Sequence, residues 1–223
     1  MISMCFDLSS SCIGTIFAQT KGEKITSLHR LAIIPKRPTG VDLGYTTKKQ
    51  KTIDSNGKSF KGFLKPGEYA ISQAEAKRRN AEFKVLEHRY LLNDIGKQVG
   101  YYLGKVKPDI IAIERNKAFN GILTTKLLAE IAGGLFFYAG AMKTTFYDVD
   151  EATVRARIRK DLPLNRNQVE LAVDTKYEIY SRLRDYFTHE HPHLELDFEK
   201  MTMDESDALA VFYYLYQTKL RNG

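Results

Sequence analysis

Met4-Cys5-Phe6-Asp7-Leu8-Ser9-Ser10-Ser11-Cys12-Ile13-Gly14 decides how the chain reads. An apolar, strand-forming run from Ile2 to Phe6 stops at one carboxylate, Asp7, and small polar residues follow. Ile13 to Ala18 and Ile25 to Ile34 supply two further strands across short turns containing Ser, Gly and Lys, so the opening is an antiparallel meander with Asp7 on its first strand.

Two later segments match that first one in kind. Asp109 to Glu114 is a short apolar, β-branched run closed by an acid, which suits a strand covered on both faces. Asp204-Glu205-Ser206-Asp207 opens an apolar helix running to about Leu220. Asp204 and Asp207 are three residues apart and share one helix face, which continues through Ala208, Val211, Phe212 and Leu215.

Between these landmarks, Ser72 to Pro108 carries apolar residues at helical spacing and predicts one long amphipathic helix. Leu123 to Met142 is an apolar helix, Thr144 to Val149 a strand, Glu151 to Lys160 a basic helix, and Asn167 to about His189 a longer one. The order is three strands, then helix, strand, helix, strand and three helices. That order predicts an α/β fold with a mixed sheet and helices on its faces.

In such sheets ligands gather beyond the carboxyl ends of the parallel strands, where Asp7 and Glu114 both lie. Four converging carboxylates repel one another unless cations stand between them, and hard oxygen donors suit Mg²⁺ or Mn²⁺. Two such ions, about 4 Å apart, serve in-line phosphodiester hydrolysis. Taken singly, Asp204 also reads as a helix N-cap, Glu114 as a strand-end partner of Arg115, and Asp7 as a turn residue.

Length and charge are consistent with this reading. At 223 residues the chain suffices for one domain, expected here to span 1–223. There are 34 Lys and Arg against 27 Asp and Glu, a net charge of +7, which is compatible with phosphate binding but is also carried by many soluble proteins with no such partner, so by itself it decides nothing. Residues 35–67 form an expected loop insertion rich in Lys, with Tyr45, Phe60 and Phe63 interspersed, able to follow a phosphate backbone or simply to be solvated. No signal peptide or membrane span is visible, and Cys5 and Cys12 lack a metal or disulfide spacing; the expectation is a cytoplasmic protein with reduced thiols. The His189 to His193 cluster, interrupted by Pro192, lacks a zinc spacing and is expected to be structural.

Phe6-Asp7-Leu8-Ser9, Ala112-Ile113-Glu114 with the following Leu127-Leu128-Ala129-Glu130 and Gly133, and Asp204-Glu205-Ser206-Asp207-Ala208-Leu209-Ala210 together resemble the RuvC-type Holliday junction resolvases, most closely those of bacteriophages. The likeness covers most of the chain outside 35–67. It implies an RNase H-like five-stranded mixed sheet, a three-strand meander plus two parallel strands, flanked by helices. It further implies a Mg²⁺-dependent homodimer, with Mn²⁺ as substitute and two ions per site, that nicks four-way DNA junctions symmetrically and leaves 5′-phosphate and 3′-hydroxyl ends. Asp7, Glu114, Asp204 and Asp207 match the family's catalytic, metal-binding acids, and Arg155 and Arg166 its basic residues. Arg157, together with Arg115, Lys117 and Phe119 in the loop after Glu114, completes the expected DNA contacts; Phe119 stands near the family's wedge position. The rival functions are a broader branched-DNA or RNase H-type nuclease, an actin-like ATPase and a non-catalytic DNA-structure binder.

Overall fold

The computed structural model describes residues 1–9, 11–53, 56–115, 122–164 and 175–221. The chain divides into two compact units, Met1–Ile34 with Gln98–Gly223, and Pro35–Lys97.

In the larger unit, β1 (Ile2–Asp7), β2 (Ile13–Lys21) and β3 (Lys24–Ile33) form the expected meander, and β6 (Ile110–Arg115) and β7 (Thr145–Asp150) complete a five-stranded sheet in the order β3-β2-β1-β6-β7. The β2–β3 connection is only two residues long, and Gly22 adopts φ +57° there, a left-handed conformation that glycine accepts without cost. β1 pairs antiparallel with β2, and parallel with β6, which pairs parallel with β7. Asp109 ties this centre together: its carboxylate accepts the Ile2 N–H at 2.7 Å, and its carbonyl accepts the Thr145 N–H.

Alternation along the strands assigns the two faces. Cys5, Ile16, Ala18, Ile110, Ala112 and Val149 join one core with α3 (Glu151–Asp161), α4 (Thr175–Glu190) and α5 (Met203–Leu215). Met4, Phe6, Ile111 and Ile113 are buried on the other face, where α2 (Ile122–Met142) packs on β6 and β7. The long helix α1 (Gln73–Val106) ends just before Pro108, with Lys107 left-handed at φ +49° and its N–H donated to the Leu103 carbonyl. α5 is the central helix, apolar nearly all round and buried from Glu205 to Tyr213; each large apolar side chain it buries contributes about 1.5–3 kcal/mol. Its last turn widens into a π-helical turn, Tyr216–Leu220.

The smaller unit corrects one expectation. Residues 35–67 are not simply a loop: they contain a 3-10 turn, Val41–Leu43, and a hairpin of β4 (Gln50–Ile53) and β5 (Ser59–Gly62). Phe63 stacks on Phe83 at 4.0 Å, with Tyr45 alongside both rings, and buried Arg79 ties Glu68 to Glu75. The hairpin rests on the first turns of α1, so closely that a Cβ on Gly62 would lie 2.8 Å from that of Ala76. A sequence so rich in Lys, Gly and Thr hides these strands, because their apolar support comes from α1 rather than from the hairpin itself.

Candidate metal centre

Asp7 is the last residue of β1 and Glu114 the penultimate residue of β6; the preceding pair, Phe6 and Ile113, are ladder partners. Both acids therefore emerge side by side from neighbouring parallel strands, on the face covered by α5. The start of α5 is set by Thr202, whose hydroxyl accepts the Glu205 N–H while the Glu205 carboxylate accepts the Thr202 N–H at 2.7 Å. Asp204 is thus not the N-cap, and its charge acts on Asp7. Glu205 also takes Arg30 at 3.1 Å through both carboxylate oxygens, so the third acid of this helix start is structural.

The result is a dense group of acids. Asp7, Glu114 and Asp207 are 6%, 8% and 5% exposed, so each is held away from the water that would stabilise its charge. Burial foremost, then the charges of Asp207, Glu114 and Asp204, drives the Asp7 carboxyl well above the usual carboxylate range. Glu114 is also raised, by burial, Asp207 and Glu151, while Arg155 and a hydrogen bond with Asp7 oppose the shift. Burial raises Asp207 too, against the pull of Lys176, whose Nζ stands 2.5 Å from Asp207 Oδ2.

Three neighbours at this centre escaped the sequence reading. Lys176, on α4, supplies an ammonium at Asp207. Cys12 donates its thiol to Asp204; burial and then that carboxylate push the thiol up to about 12. Gly14 is the β2 partner of Asp7, and a Cβ there would lie 1.9 Å from the Asp204 carbonyl oxygen. Only Gly14 had a visible signal, as a small residue early in a strand, which marks a close backbone approach.

The expected basic residues are dispersed. Arg155 bonds Glu151 at 2.6 Å and lies close enough to Glu114 and Asp207 to favour their charged forms. Arg157 turns instead to Asp161, which also accepts the Tyr213 hydroxyl. Arg115 closes β6 in register with Asp150. Arg166, Lys117 and Phe119 lie outside the described residues. The three histidines of the 189–193 segment each have a hydrogen-bond partner: His189 and His191 bond locally, to the Asp185 carbonyl and the Tyr186 hydroxyl, whereas His193 reaches the Ile25 carbonyl on β3.

The donor set fits hard divalent cations: several carboxylates, buried, mutually repelling, with an ammonium as partial counter-charge. Among the described residues no group of three or more His, Cys, Asp or Glu side chains is arranged to hold a metal ion. Asp7 bonds Glu114, and Lys176 stands against Asp207.

Over 99% of this chain and 98% of the other, the structure superimposes on Thermus thermophilus RuvC in complex with a Holliday junction substrate, with a TM-score of 0.50 at 11% identity. The chain has the RuvC fold. A second Thermus thermophilus RuvC structure aligns at TM-score 0.49, with 12% identity and the same coverage of both chains. The yeast mitochondrial Holliday junction resolvase Ydc2 aligns at 0.42, with 10% identity, over 99% of this chain and 81% of its own. No family model matches the chain. No curated protein matches its sequence. The RuvC fold is the RNase H-like mixed sheet expected from the sequence. Among the described residues no helix is long and apolar enough to cross a membrane.

Proposed function

We propose that the chain is a metal-dependent, structure-selective DNA endonuclease that resolves four-way junctions by paired symmetric nicks, leaving 5′-phosphate and 3′-hydroxyl ends. The observation that carries this reading is the delivery of Asp7, Glu114, Asp204 and Asp207 to the carboxyl ends of two neighbouring interior strands by β1, β6 and α5 of a RuvC fold. Those four carboxylates would hold Mg²⁺, or Mn²⁺ in its place. Divalent ions held by these carboxylates would supply the activation of water and the stabilisation of the leaving oxygen that phosphodiester hydrolysis needs.

The protein's own part is to keep the acids close, to shield them from bulk water, and to offer positive charge beside them. Arg155 lies close enough to Glu114 and Asp207 to act on both, and would meet the scissile phosphate there. Arg115, Arg157, Arg166, Lys117 and Phe119 are proposed contacts to the junction arms. Two copies of the chain, each with one acidic centre, would give the symmetric pair of nicks.

The test is nicking of end-labelled four-way junction, three-way fork and linear duplex in Mg²⁺, Mn²⁺ or EDTA, with Asp7→Asn in parallel. Paired, metal-dependent cuts confined to the four-way junction are expected. Equal cutting of forks would replace this reading with a broader branched-DNA nuclease, and cleavage of RNA in hybrids with an RNase H-type enzyme. Tight binding with no cutting would make the protein a DNA-structure binder.

A further inference from the structure

The positive charge of this protein is not spread over it. The unit Pro35–Lys97 holds 14 of the 34 Lys and Arg but only 7 of the 27 Asp and Glu, which leaves 20 of each sign in the larger unit. The entire surplus of +7 therefore belongs to these 63 residues, while the unit bearing the acidic centre is formally neutral.

Within the small unit the acids are largely committed to internal work. Glu68 and Glu75 hold Arg79, Glu75 and Glu82 hold Arg78, Glu87 meets Arg37, Asp42 takes Thr39, and Asp94 accepts the Lys36 N–H. The hairpin is different. Thr52 and Gly62 face inward and are buried, so strand alternation sends Lys51 and Lys61 outward, and both are exposed. These two lysines are directly opposite one another in the β4–β5 ladder. Like charges in that position destabilise a hairpin, and among the described residues no carboxylate stands at ion-pair distance from either. Exposed Lys48, Lys49 and Lys65 flank the pair.

We propose that the outer face of the β4–β5 hairpin, centred on Lys51 and Lys61, is a second nucleic-acid surface that grips the phosphate backbone of duplex DNA without reading its sequence. It rests on the DNA reading of the acidic centre given above, and goes beyond it in assigning the binding charge to a separate unit. Lysines act as point charges rather than planar forks, which suits a backbone contact with no base selectivity. A face built this way supplies affinity and takes no part in bond cleavage.

The experiment uses the full chain with Lys51 and Lys61 both changed to Gln, and separately both to Glu. Binding to four-way junction, to linear duplex and to phosphatidylserine vesicles is titrated in EDTA across a salt series, and cleavage is measured in Mg²⁺ at saturating protein. The double Gln variant is expected to lower the slope of log K against log salt by about 2 on both DNAs. It should keep its cleavage at saturation, and unfold at an unchanged or higher temperature because the Lys51–Lys61 repulsion is gone. The double Glu variant should bind more weakly still. Slopes on DNA equal to wild type would overturn the proposal, as would a loss confined to the vesicles, which would make the face a membrane contact. If the wild type neither binds nor cuts DNA, the reading of the acidic centre fails first; if it cuts normally and the slopes do not move, only this inference fails.

Discussion

Gly14 and Asp204 touch through their backbones: the Cβ that any other residue would place at 14 falls 1.9 Å from the Asp204 carbonyl oxygen. Gly14 is also the ladder partner of Asp7. One hydrogen atom in place of a methyl group therefore sets how near the start of α5 comes to the end of β1.

Gly14→Ala should accordingly lift the helix start off the sheet. Because the obstruction is backbone, the cost is expected at the upper end of the range for overpacking, about 3 kcal/mol, read by denaturant unfolding. Metal-dependent cleavage should fall further than the folded fraction does. Wild-type stability in this variant would show that α5 does not seat on β2 as described.

Asp7→Asn is expected to abolish cleavage while preserving or tightening junction binding, since it removes a proposed cation ligand and a negative charge where the phosphate is proposed to lie. Unchanged cleavage would remove Asp7 from the proposed chemistry.

The same substitution should alter how metal-free protein responds to pH. A carboxyl raised in the folded state holds extra protons there, so its contribution is most favourable below the ordinary aspartate value of 3.8 and is lost as pH rises toward the raised value. Wild-type protein in EDTA is therefore expected to melt lower as pH climbs from about 4 to 8. Asp7→Asn should flatten that decline and melt at least about 2–4 °C higher at the alkaline end. Parallel melting curves for the two proteins would contradict the burial and repulsion assigned to Asp7.

Lys176→Met should sharpen metal binding. The ammonium at Asp207 competes with an incoming cation, and removing a half-exposed charge of this kind is expected to tighten Mn²⁺ by roughly 2–5-fold in a calorimetric titration. Weaker Mn²⁺ binding would mean that Lys176 supports the site instead.

Glu205→Ala tests the structural acid of the helix start. It deletes half of the capping box and the buried carboxylate that Arg30 grips, leaving Arg30 its bond to the Lys200 carbonyl, so a loss of about 3 kcal/mol is expected. Folded protein should nonetheless retain its dependence on divalent metal. Loss of metal binding with stability unchanged would move Glu205 into the ligand set.

Much of the sheet was legible because its signals are local. An apolar run closed by a single acid marks Asp7 and Glu114 within a few residues, and the Asp204 to Ala210 periodicity marks a buried helix face. Which residues answer those acids was not legible. Lys176 reaches Asp207 from 31 positions away, and Arg30 reaches Glu205 from 175, so neither pairing leaves a pattern in its own neighbourhood. The separation of Arg155 from Arg157 is a matter of helix geometry: residues two apart point to different sides, and only one of them comes near Glu114. The β4–β5 hairpin was obscured by its composition, since its inner face leans on α1 and its outer face is lysine.

Because β1 meets β6 side by side and α5 closes over both, the acidic centre is assembled from the beginning, the middle and the far end of the described chain. On the ribosome, Asp7 and Glu114 emerge long before Asp204 and Asp207. A nascent chain that stops at Thr202 has all five strands of the main sheet but half of its acids. The arrival of α5 thus acts as a timer: a nascent chain that has not reached Asp207 cannot gather the full set of carboxylates.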